Sequence, residues 1–310
     1  MPVSKAEIAR ERKALMKLMD EEASQFRVPS RKLNENLILA TWNIQQFSSG
    51  HSRRALQYIA DIVEHFDIVA LQEVKTDLRG LRRLQELLPG NYRILVSDPT
   101  GNAERFAFLY DKRTVIPTGL VCEIGFNVTA RTHNGYQLHR MPYCASFRAG
   151  RFDFVVATAH IYFGKSKDER EQRRIEIHEL AKFIERRART ERNKVFDRDF
   201  FVVGDFNIEE AGDEFFCALA DKGFVISEEM QNIKTNYART RTYDKIVWVD
   251  RPSFCPTGRM NVVPFGRAVF REMGKNGAKA EISDHLPLWA EFEINRLTLE
   301  LDQIINRGSD

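Results

Sequence analysis

Polar residues with catalytic chemistry stand at the ends of several short apolar runs in the chain. Asn43 ends the run LILATW, Glu73 follows DIVALQ, and His160 ends FVVATA. Asp205 and Asn207 follow FFVVG in the same way. Rigid elements present catalytic groups at such ends. A cap or a turn explains any one of these positions alone, but it does not explain so many of them in one chain.

Three more residues of this kind lie near the end of the chain. Asp244 opens an apolar run, and Asp284 and His285 precede the last one. Carboxylate and carboxamide oxygens suit a hard cation such as Mg²⁺ or Mn²⁺. Two histidines suit proton transfer near neutral pH. Because in-line attack on a phosphodiester needs a base on one side and an acid or a metal on the other, this set of residues predicts phosphoester hydrolysis.

The apolar runs that must position these residues are short and rich in Val, Ile and Phe, as strands are. They cover residues 37–42, 67–71, 92–96, 105–110, 143–148, 152–159, 199–204, 244–249 and 287–294. Apolar residues at helical spacing lie between some of them, within 56–63, 81–88 and 177–184. Strands that alternate with helices predict a mixed α/β domain in which helices cover the sheets.

The N-terminal segment is predicted to be a helix over residues 4–25, where Ser4 and Glu7 have capping-box spacing. The polar, proline-containing segment 27–36 is predicted to be a linker. No second domain boundary is apparent after it. The predicted organisation is an N-terminal helix and linker (1–36), a catalytic domain (37–295) and a C-terminal tail (296–310).

The composition of the chain is that of an ordinary globular protein, with 310 residues, 43% hydrophobic and 29% charged. The net charge of +3 is too small to specify a partner. The sequence contains no run of about 18 apolar residues, which argues against a membrane-spanning helix. The charged N-terminus also lacks the apolar core of a secretory signal. The expected location is therefore cytoplasmic.

The four cysteines are far apart in sequence. Cys122, Cys144, Cys217 and Cys255 form no CxxC pair, and no two of them lie within 20 residues of each other. This spacing excludes a zinc finger or a thioredoxin-like motif. Their apolar surroundings predict buried free thiols, as in a cytosolic protein.

Four motifs occur in the order found in the endonuclease/exonuclease/phosphatase superfamily, which the chain resembles over residues 37–294. They are TWNIQ with Asn43, LQEV with Glu73, GDFN with Asp205 and Asn207, and SDH with Asp284 and His285. Four others make the chain most similar to the DNase I-like branch: ERFAFLY with Glu104, RMPYCASF with Arg140, ATAH with His160 and TYDKIV with Asp244. The resemblance implies a four-layer α/β/β/α sandwich with an extra N-terminal helix.

The resemblance also implies a metal site at one edge of the paired sheets. Glu73 would be the main ligand of Mg²⁺ or Mn²⁺, supported by Asn43 and Asp284. Asp205 and Asn207 would hold the phosphate and the attacking water, or a second metal. The number of metals stays open.

Two histidine–carboxylate pairs would supply the proton transfers. His160 and His285 would flank the scissile phosphate as acid and base, with the order left open. Glu104 would orient His160, and Asp244 would orient His285. A carboxylate on the far ring nitrogen fixes the tautomer and favours the protonated form.

Basic residues would contact the substrate. Arg140 would pair with a substrate phosphate, for which its planar guanidinium offers two donors. Lys75 stands where DNase I-like enzymes carry a basic DNA contact. Asn102 stands where those enzymes have a tyrosine, so apolar contact with a minor groove is expected to be smaller. The arginine-rich segment 170–192 has two interpretations, a solvated helix face or a surface that follows phosphates.

The function implied by these features is metal-dependent phosphodiester hydrolysis, by a DNase I-like endonuclease that acts on nucleic acid, with DNA as the expected form. One alternative is a phosphoesterase for a small phosphodiester, a phosphomonoester or a phospholipid head group. A second is an inactive binding module of the same fold. The presence of every expected ligand and of both histidines argues against that module. DNA versus RNA and endonuclease versus exonuclease action stay open.

Overall fold

The computed structural model of the protein describes residues 3–126, 138–191 and 195–295. Within these residues the strands are β1 (Asn36–Phe47), β2 (Ile68–Lys75), β3 (Tyr92–Val96), β4 (Glu104–Asp111), β5 (Ile116–Glu123), β6 (Tyr143–Ala149), β7 (Phe152–His160), β8 (Phe200–Asp205), β9 (Phe224–Val225), β10 (Asp244–Val249), β11 (Pro256–Val262) and β12 (Leu288–Glu293). They form two six-stranded sheets, with the orders β11-β12-β1-β2-β4-β3 and β5-β6-β7-β8-β10-β9.

Helices cover the outer faces of both sheets. They are α1 (Lys5–Asp20), α2 (Arg53–Val63), α3 (Arg79–Leu87), α4 (Lys167–Arg189), α5 (Glu214–Ala220), α6 (Glu228–Asn232) and α7 (Gly277–Glu281). The first three pack side by side, with α3 against β3, whereas α4 packs on α5, which contacts β9. The expected four-layer α/β/β/α sandwich is confirmed. In the described part of the chain, no helix is both long enough and apolar enough to cross a bilayer.

The core lies between the two sheets, where β1 and β2 face β7, β8 and β10. Phe201 of β8 packs edge-on against Phe292 of β12, with 4.8 Å between the ring centroids. Trp248 of β10 contacts the same Phe292 ring at 5.1 Å. Aromatic pairs in these orientations add to the stabilisation from burial alone. The core therefore fixes the distance between the sheets, and with it the distance between residues carried by opposite sheets.

Two parallel strand pairs place the important strand ends together. β1 pairs with β2 in parallel, and β7 pairs with β8 in parallel, whereas the other strand pairs are antiparallel. Parallel neighbours need a crossover connection, which α2 and α4 supply. As a result the carboxyl ends of all four strands reach the same edge of the sandwich.

The N-terminal helix packs against α2. Leu15 and Met19 are fully buried, and Arg12 donates two hydrogen bonds to the buried carboxylate of Asp61, at 2.7 and 2.8 Å. Ser4 caps the helix by accepting from the backbone N–H of Glu7, which is one of the two hydrogen bonds of the predicted capping box. The helix ends at Asp20 rather than at residue 25. The predicted tail 296–310 lies outside the described residues.

Three edge strands do not show in the sequence pattern: the two-residue β9 and the longer β5 and β11. β5 contains Pro117 and Gly119, and β11 contains Pro256 and Gly258. Proline and glycine are tolerated at a sheet edge, where one side of the backbone needs no partner, but they hide the strand pattern. No residue of β5 is buried and four of the seven in β11 are exposed, which removes the apolar pattern as well.

The prediction that all four cysteines are buried is wrong. Cys144 is buried, Cys122 and Cys255 are partly buried, and Cys217 is exposed. Cys122 and Cys144 also lie directly opposite each other on β5 and β6, with 3.3 Å between their sulfur atoms. Sequence separation was misleading because neighbouring antiparallel strands bring distant residues together.

Candidate active site

Strand register brings the predicted residues to one place. Asn43 ends the regular pairing of β1 with β2, where Glu73 follows. On the second sheet, His160 lies directly opposite Asp205, and Asp205 lies directly opposite Asp244. A shift of one residue in any of these strands would turn its catalytic side chain to the other face.

Irregular backbone at the strand ends aims the side chains of the site. The register of β1 against β2 shifts after Asn43, and the register of β2 against β4 shifts after Leu71. Glu73 and Asn207 have left-handed backbones, with φ of 60° and 53°. Such conformations cost on the order of 1–3 kcal/mol each and cluster at functional sites. Bulges of this kind commonly redirect side chains next to active sites.

Glycine is required before the GDFN aspartate. Gly204 has a φ of 134°, and a Cβ atom there would lie 2.0 Å from the carbonyl oxygen of Ala159. This close approach keeps β8 against β7, and with it Asp205 against His160. Any other residue at position 204 would push the two strands apart.

A cluster of oxygen ligands lies between the two sheets. The Nδ2 atom of Asn43 donates to Glu73 Oε1 at 2.9 Å and to Asp205 Oδ2 at 3.1 Å. Two carboxylates therefore meet at one amide group, and a set of oxygen atoms of this kind suits a hard divalent cation. Rotation of the Asn43 amide by 180° would turn its oxygen toward them. The carboxylate of Asp284 makes no hydrogen bond to any described residue, and its part as a metal ligand stays a prediction.

His285 and Asp244 form the tighter of the two histidine–carboxylate pairs. His285 Nδ1 lies 2.8 Å from Asp244 Oδ2, and both residues are buried. Burial lowers the pKa of His285, but the carboxylates of Asp244 and Asp205 outweigh it and raise the pKa to about 10. The imidazole is therefore held as a cation at neutral pH. The backbone carbonyl of His285 accepts from the Trp42 indole at 3.0 Å, which fixes the loop.

His160 and Glu104 form a looser pair. His160 Nδ1 lies 3.4 Å from Glu104 Oε2, which is longer than a strong hydrogen bond. The same oxygen accepts from Arg140 at 2.9 Å, and Lys75 lies 3.6 Å from the other oxygen. Burial raises the pKa of Glu104, but His160, Arg140 and Lys75 together hold it below its ordinary value. Glu104 is therefore ionised and shared by three cationic or polar partners.

Asp205 lies between the two histidines. Its Oδ2 atom is 3.8 Å from His160 Nε2 and 3.7 Å from His285 Nε2. Burial raises the pKa of Asp205, but the two imidazoles outweigh it and keep the pKa below its ordinary value. A buried carboxylate is thus ionised at the centre of the site, with one ring nitrogen of each histidine close to it.

Asp205, Asp244 and His285 also place possible ligand atoms within 4.8 Å of one another. However, His285 Nδ1 and Asp244 Oδ2 face each other in a hydrogen bond, and a metal ligand must be deprotonated. The raised pKa of His285 favours a proton in this group. The oxygen cluster around Glu73 is the better cation site.

The two predicted phosphate-binding residues are both engaged with Glu104. Arg140 is buried, and its guanidinium also donates to the carbonyl oxygen of His160 at 3.4 Å. Lys75 is more accessible, and β2 and β4 place it directly opposite Glu104. The geometry therefore gives Arg140 a clear part in holding Glu104 beside His160.

Arg173 is a residue of the site that no sequence pattern singled out. This fully buried residue of α4 donates from Nη1 to the backbone carbonyl of Asn207 at 2.9 Å. Its guanidinium stacks on Phe163 and Phe215, at 4.8 and 4.4 Å from the ring centroids. The other arginines near it, Arg170 and Arg174, pair with carboxylates at the surface. Arg173 is thus the buried one of these three arginines, and helix periodicity gave no reason to single it out.

Ser283 and Gln72 also support the site from within known motifs. The Ser283 hydroxyl donates to the Asn43 carbonyl at 2.7 Å and accepts from the His285 backbone N–H at 3.0 Å.

Gln72 is fully buried and donates to Thr41 and Thr158, which links the two sheets below the site. Ser283 and Gln72 both belong to motifs that are visible in the sequence, SDH and LQEV. The sequence did not show that they contact residues far away in the chain.

Comparison with known proteins supports the family and the fold. Residues 40–216 match the model of the Endonuclease/Exonuclease/phosphatase family. No curated protein matches the chain in sequence. Solved structures share its fold at low identity, and three of them illustrate the range of the family.

An endonuclease/exonuclease/phosphatase family protein from Bacteroides thetaiotaomicron has a TM-score of 0.60 and 17% identity, and the match covers 84% of this chain and 95% of that one. A mannosyl-6-phosphatase from the same organism has a TM-score of 0.56 and 18% identity, with 83% and 99% covered. TDP2 from D. rerio, in complex with a single-strand DNA product, has a TM-score of 0.57 and 13% identity, with 83% and 98% covered. The family match spans more than half of the chain and includes Asn43, Glu73, Glu104, His160 and Asp205, and the protein therefore belongs to the Endonuclease/Exonuclease/phosphatase family.

Proposed function

We propose that the protein is a metal-dependent phosphodiester hydrolase that acts on nucleic acid. The observation that carries the proposal is that two imidazoles approach the same oxygen, Asp205 Oδ2, with their Nε2 atoms at 3.8 and 3.7 Å. A carboxylate stands behind each ring. A phosphate bound beside Asp205 would be near both Nε2 atoms, so one ring would serve as the acid and the other as the base.

His285 is the better candidate for the acid. Its pKa of about 10 keeps it protonated, so Nε2 carries a proton toward the phosphate or the leaving oxygen. Asp244 holds the ring in one orientation through the 2.8 Å contact with Nδ1. His160, which Glu104 holds more loosely, is proposed to work on the side of the attacking water. Asp205 and Asn207 would orient that water and the phosphate.

The metal-binding residues are proposed to be Glu73, Asn43 and Asp205. Their donor atoms are hard oxygens, and two carboxylates already converge on the Asn43 amide within 3.1 Å. A divalent cation held there would neutralise the phosphate and stabilise charge on the leaving oxygen. The carboxylate of Asp284 is proposed to act mainly through its charge, which helps to raise the pKa of His285.

A groove beside the site supports a substrate larger than one phosphate group. It has a volume of about 500 Å³ and is lined by Gln45, Gln46, His51, Asn276 and Lys279, with Ala280 and Ile282. The backbone N–H of Gln46 donates to Glu73 Oε2 at 2.9 Å, which ties the groove to the metal site. Amides and one lysine, without a carboxylate, suit a sugar–phosphate backbone. The DNA product in the related TDP2 structure agrees with this substrate class.

The direct test is hydrolysis of plasmid DNA, single-stranded DNA, RNA, bis-p-nitrophenyl phosphate and mannose 6-phosphate, with Mg²⁺ and with EDTA. We expect cleavage of polynucleotide that requires Mg²⁺ or Mn²⁺ and that is lost in His285→Ala. His65→Ala is the matched control, because His65 also pairs with an aspartate, Asp20, at 3.0 Å, but between α2 and the end of α1. Faster hydrolysis of the sugar phosphate than of any polynucleotide would contradict the proposed substrate.

A further inference from the structure

Two cysteines face each other across neighbouring strands of the second sheet. Cys122 of β5 and Cys144 of β6 occupy directly opposite positions in the antiparallel pairing. Their sulfur atoms are 3.3 Å apart, although neither thiol is oxidised. Opposite residues in such a pair have Cα atoms about 4.5–5.5 Å apart, within the range that a disulfide spans. The backbone can therefore accept a bond between them without rearrangement.

The two thiols differ in accessibility. Cys144 is 3% exposed, whereas Cys122 is partly exposed at the sheet edge. Both line a small cavity of about 70 Å³ whose walls include Phe183, Ile184 and Arg187. A small reagent can thus approach Cys122 first, with Cys144 behind it.

The electrostatics of the cavity support the same order of reaction. The hydrogen bond with Cys144 lowers the pKa of the Cys122 thiol to about 7 against the opposing effect of burial, and Arg187 adds to the lowering. The pKa of Cys144 is raised by its hydrogen bond with Cys122 and by burial. A thiolate is the nucleophile in disulfide exchange, so Cys122 attacks and Cys144 resolves.

We propose that Cys122 and Cys144 are a redox-active dithiol that a low-molecular-weight disulfide oxidises to a cross-strand disulfide. The Cys122 thiolate attacks one sulfur of the reagent, forms a mixed disulfide and releases one small thiolate. Cys144 then loses its proton and attacks the Cys122 sulfur, which forms the protein disulfide and releases the second small thiolate. The protein thiols lose two electrons and two protons in total, and the reagent gains them.

The disulfide would close residues 123–143 into a covalent loop. That loop contains Arg140, which holds Glu104 beside His160. A cross-link restricts the unfolded chain more than the folded one, so oxidation is expected to stabilise the protein. The proposal does not depend on the substrate of the active site.

The experiment uses the full chain with Cys217→Ser, which removes the exposed thiol. The protein is equilibrated with rising ratios of oxidised to reduced glutathione, its remaining thiols are alkylated, and its intact mass and peptide map are measured. We expect two fewer alkyl groups with no glutathione adduct, a peptide that joins Cys122 to Cys144, and a Tm that rises by roughly 5–10 °C.

Two further variants separate the roles of the cysteines. Adding Cys144→Ser should leave glutathione trapped on Cys122, because nothing resolves the mixed disulfide. Adding Cys255→Ser is the matched control and should leave the internal disulfide intact. The starting protein for both variants is the Cys217→Ser chain, here called the parent. The proposal is overturned if the thiols of the parent can all still be alkylated at the most oxidising ratio, if glutathione stays on Cys122, or if other cysteines are linked. The peptide map of the parent decides the question even if the Cys144→Ser chain folds poorly.

Discussion

At the scale of single residues, the site is a set of charges that stabilise one another. Asp205 is a buried anion because two imidazoles face it, and His285 is a buried cation because Asp205 and Asp244 face it. Neither charge would persist alone, since an isolated buried charge is costly. Glu73 stands at the edge of this set and is less enclosed, which leaves room for a cation.

Glu73→Gln tests the metal site. The substitution keeps the shape of the side chain but removes its charge, so we expect Mg²⁺ or Mn²⁺ affinity to fall by at least about tenfold, or roughly 1.4 kcal/mol. Isothermal titration calorimetry measures this affinity. Glu86→Gln, on the exposed face of α3, is the control and should bind metal normally. Unchanged affinity in the Glu73 variant would refute the ligand assignment.

Asp244→Asn tests the protonation of His285. The raised pKa of His285 in the folded protein means that its stabilising contribution is complete below about pH 6.5, its ordinary pKa, and is lost as the pH rises toward about 10. Without the Asp244 charge, the titration midpoint of His285 should move down. Proton NMR of the histidine rings in metal-free protein measures the midpoint. If the His285 midpoint is the same in both proteins, Asp244 does not control the charge on His285.

His160→Ala and His285→Ala test whether the two rings act together. General acid–base groups contribute about 10²–10⁴-fold each, so each single variant should lose about that much in kcat. The double variant should lose less than the product of the two losses, because both rings serve one transition state. Steady-state kinetics on bis-p-nitrophenyl phosphate gives the three numbers. Near-normal turnover in either single variant would remove that histidine from the mechanism.

At the scale of elements, parallel strand pairs and one long helix assemble the site. β7 and β8 deliver His160 and Asp205 to the same edge, and α4 makes the crossover between these strands. The same helix sends Arg173 back to the carbonyl of Asn207. One element therefore both permits the parallel pairing and fixes the loop that follows it.

Arg173→Lys tests this connection. Lysine keeps the charge but lacks the planar fork that reaches both the Asn207 and the Gly164 carbonyls. We expect kcat to fall by about 10–100-fold with little change in KM, because the loop is misplaced rather than the substrate site removed. Arg174→Lys, one residue along the helix and only partly buried, is the control. Equal activity in both variants would make Arg173 a purely structural residue, which circular dichroism and Tm would then show.

At the scale of the whole molecule, the N-terminal helix extends the outer helical layer. Its apolar side chains are buried against α2, and Glu11 accepts hydrogen bonds from Arg54 and from the backbone N–H of Phe270. These contacts lie on the outer helical layer rather than among the catalytic side chains. The helix is thus expected to matter for stability and not for chemistry.

Leu15→Ala tests that separation. Leu15 is fully buried, so its truncation should lower the free energy of unfolding by about 2–5 kcal/mol. Urea unfolding measures this loss, and the specific activity of the folded fraction should stay within about twofold of wild type. Lys13→Ala, on the exposed side of the same helix, should change neither quantity. A large loss of activity per folded molecule in Leu15→Ala would connect the helix to the active site.

The sequence by itself determined the chemistry available and the order of the elements. The positions of Asn43, Glu73, His160, Asp205 and His285 at the ends of apolar runs were visible because strand residues and catalytic residues differ so strongly in polarity. The helical stripes within 56–63 and 177–184 were equally visible, and both are buried in α2 and α4. Motif order was enough to indicate the family and the four-layer fold.

Only the tertiary structure decided which of these residues touch. Glu104 lies closer to Arg140 than to His160, and these contacts join segments that are far apart in sequence. So does the meeting of Cys122 with Cys144, and the burial of Arg173 beneath the GDFN loop. Local patterns report periodicity and propensity, whereas these contacts depend on register and sheet packing, which come from the whole chain. The separation of the sheets and the pKa of each buried group follow from that packing and could not be read from any single segment.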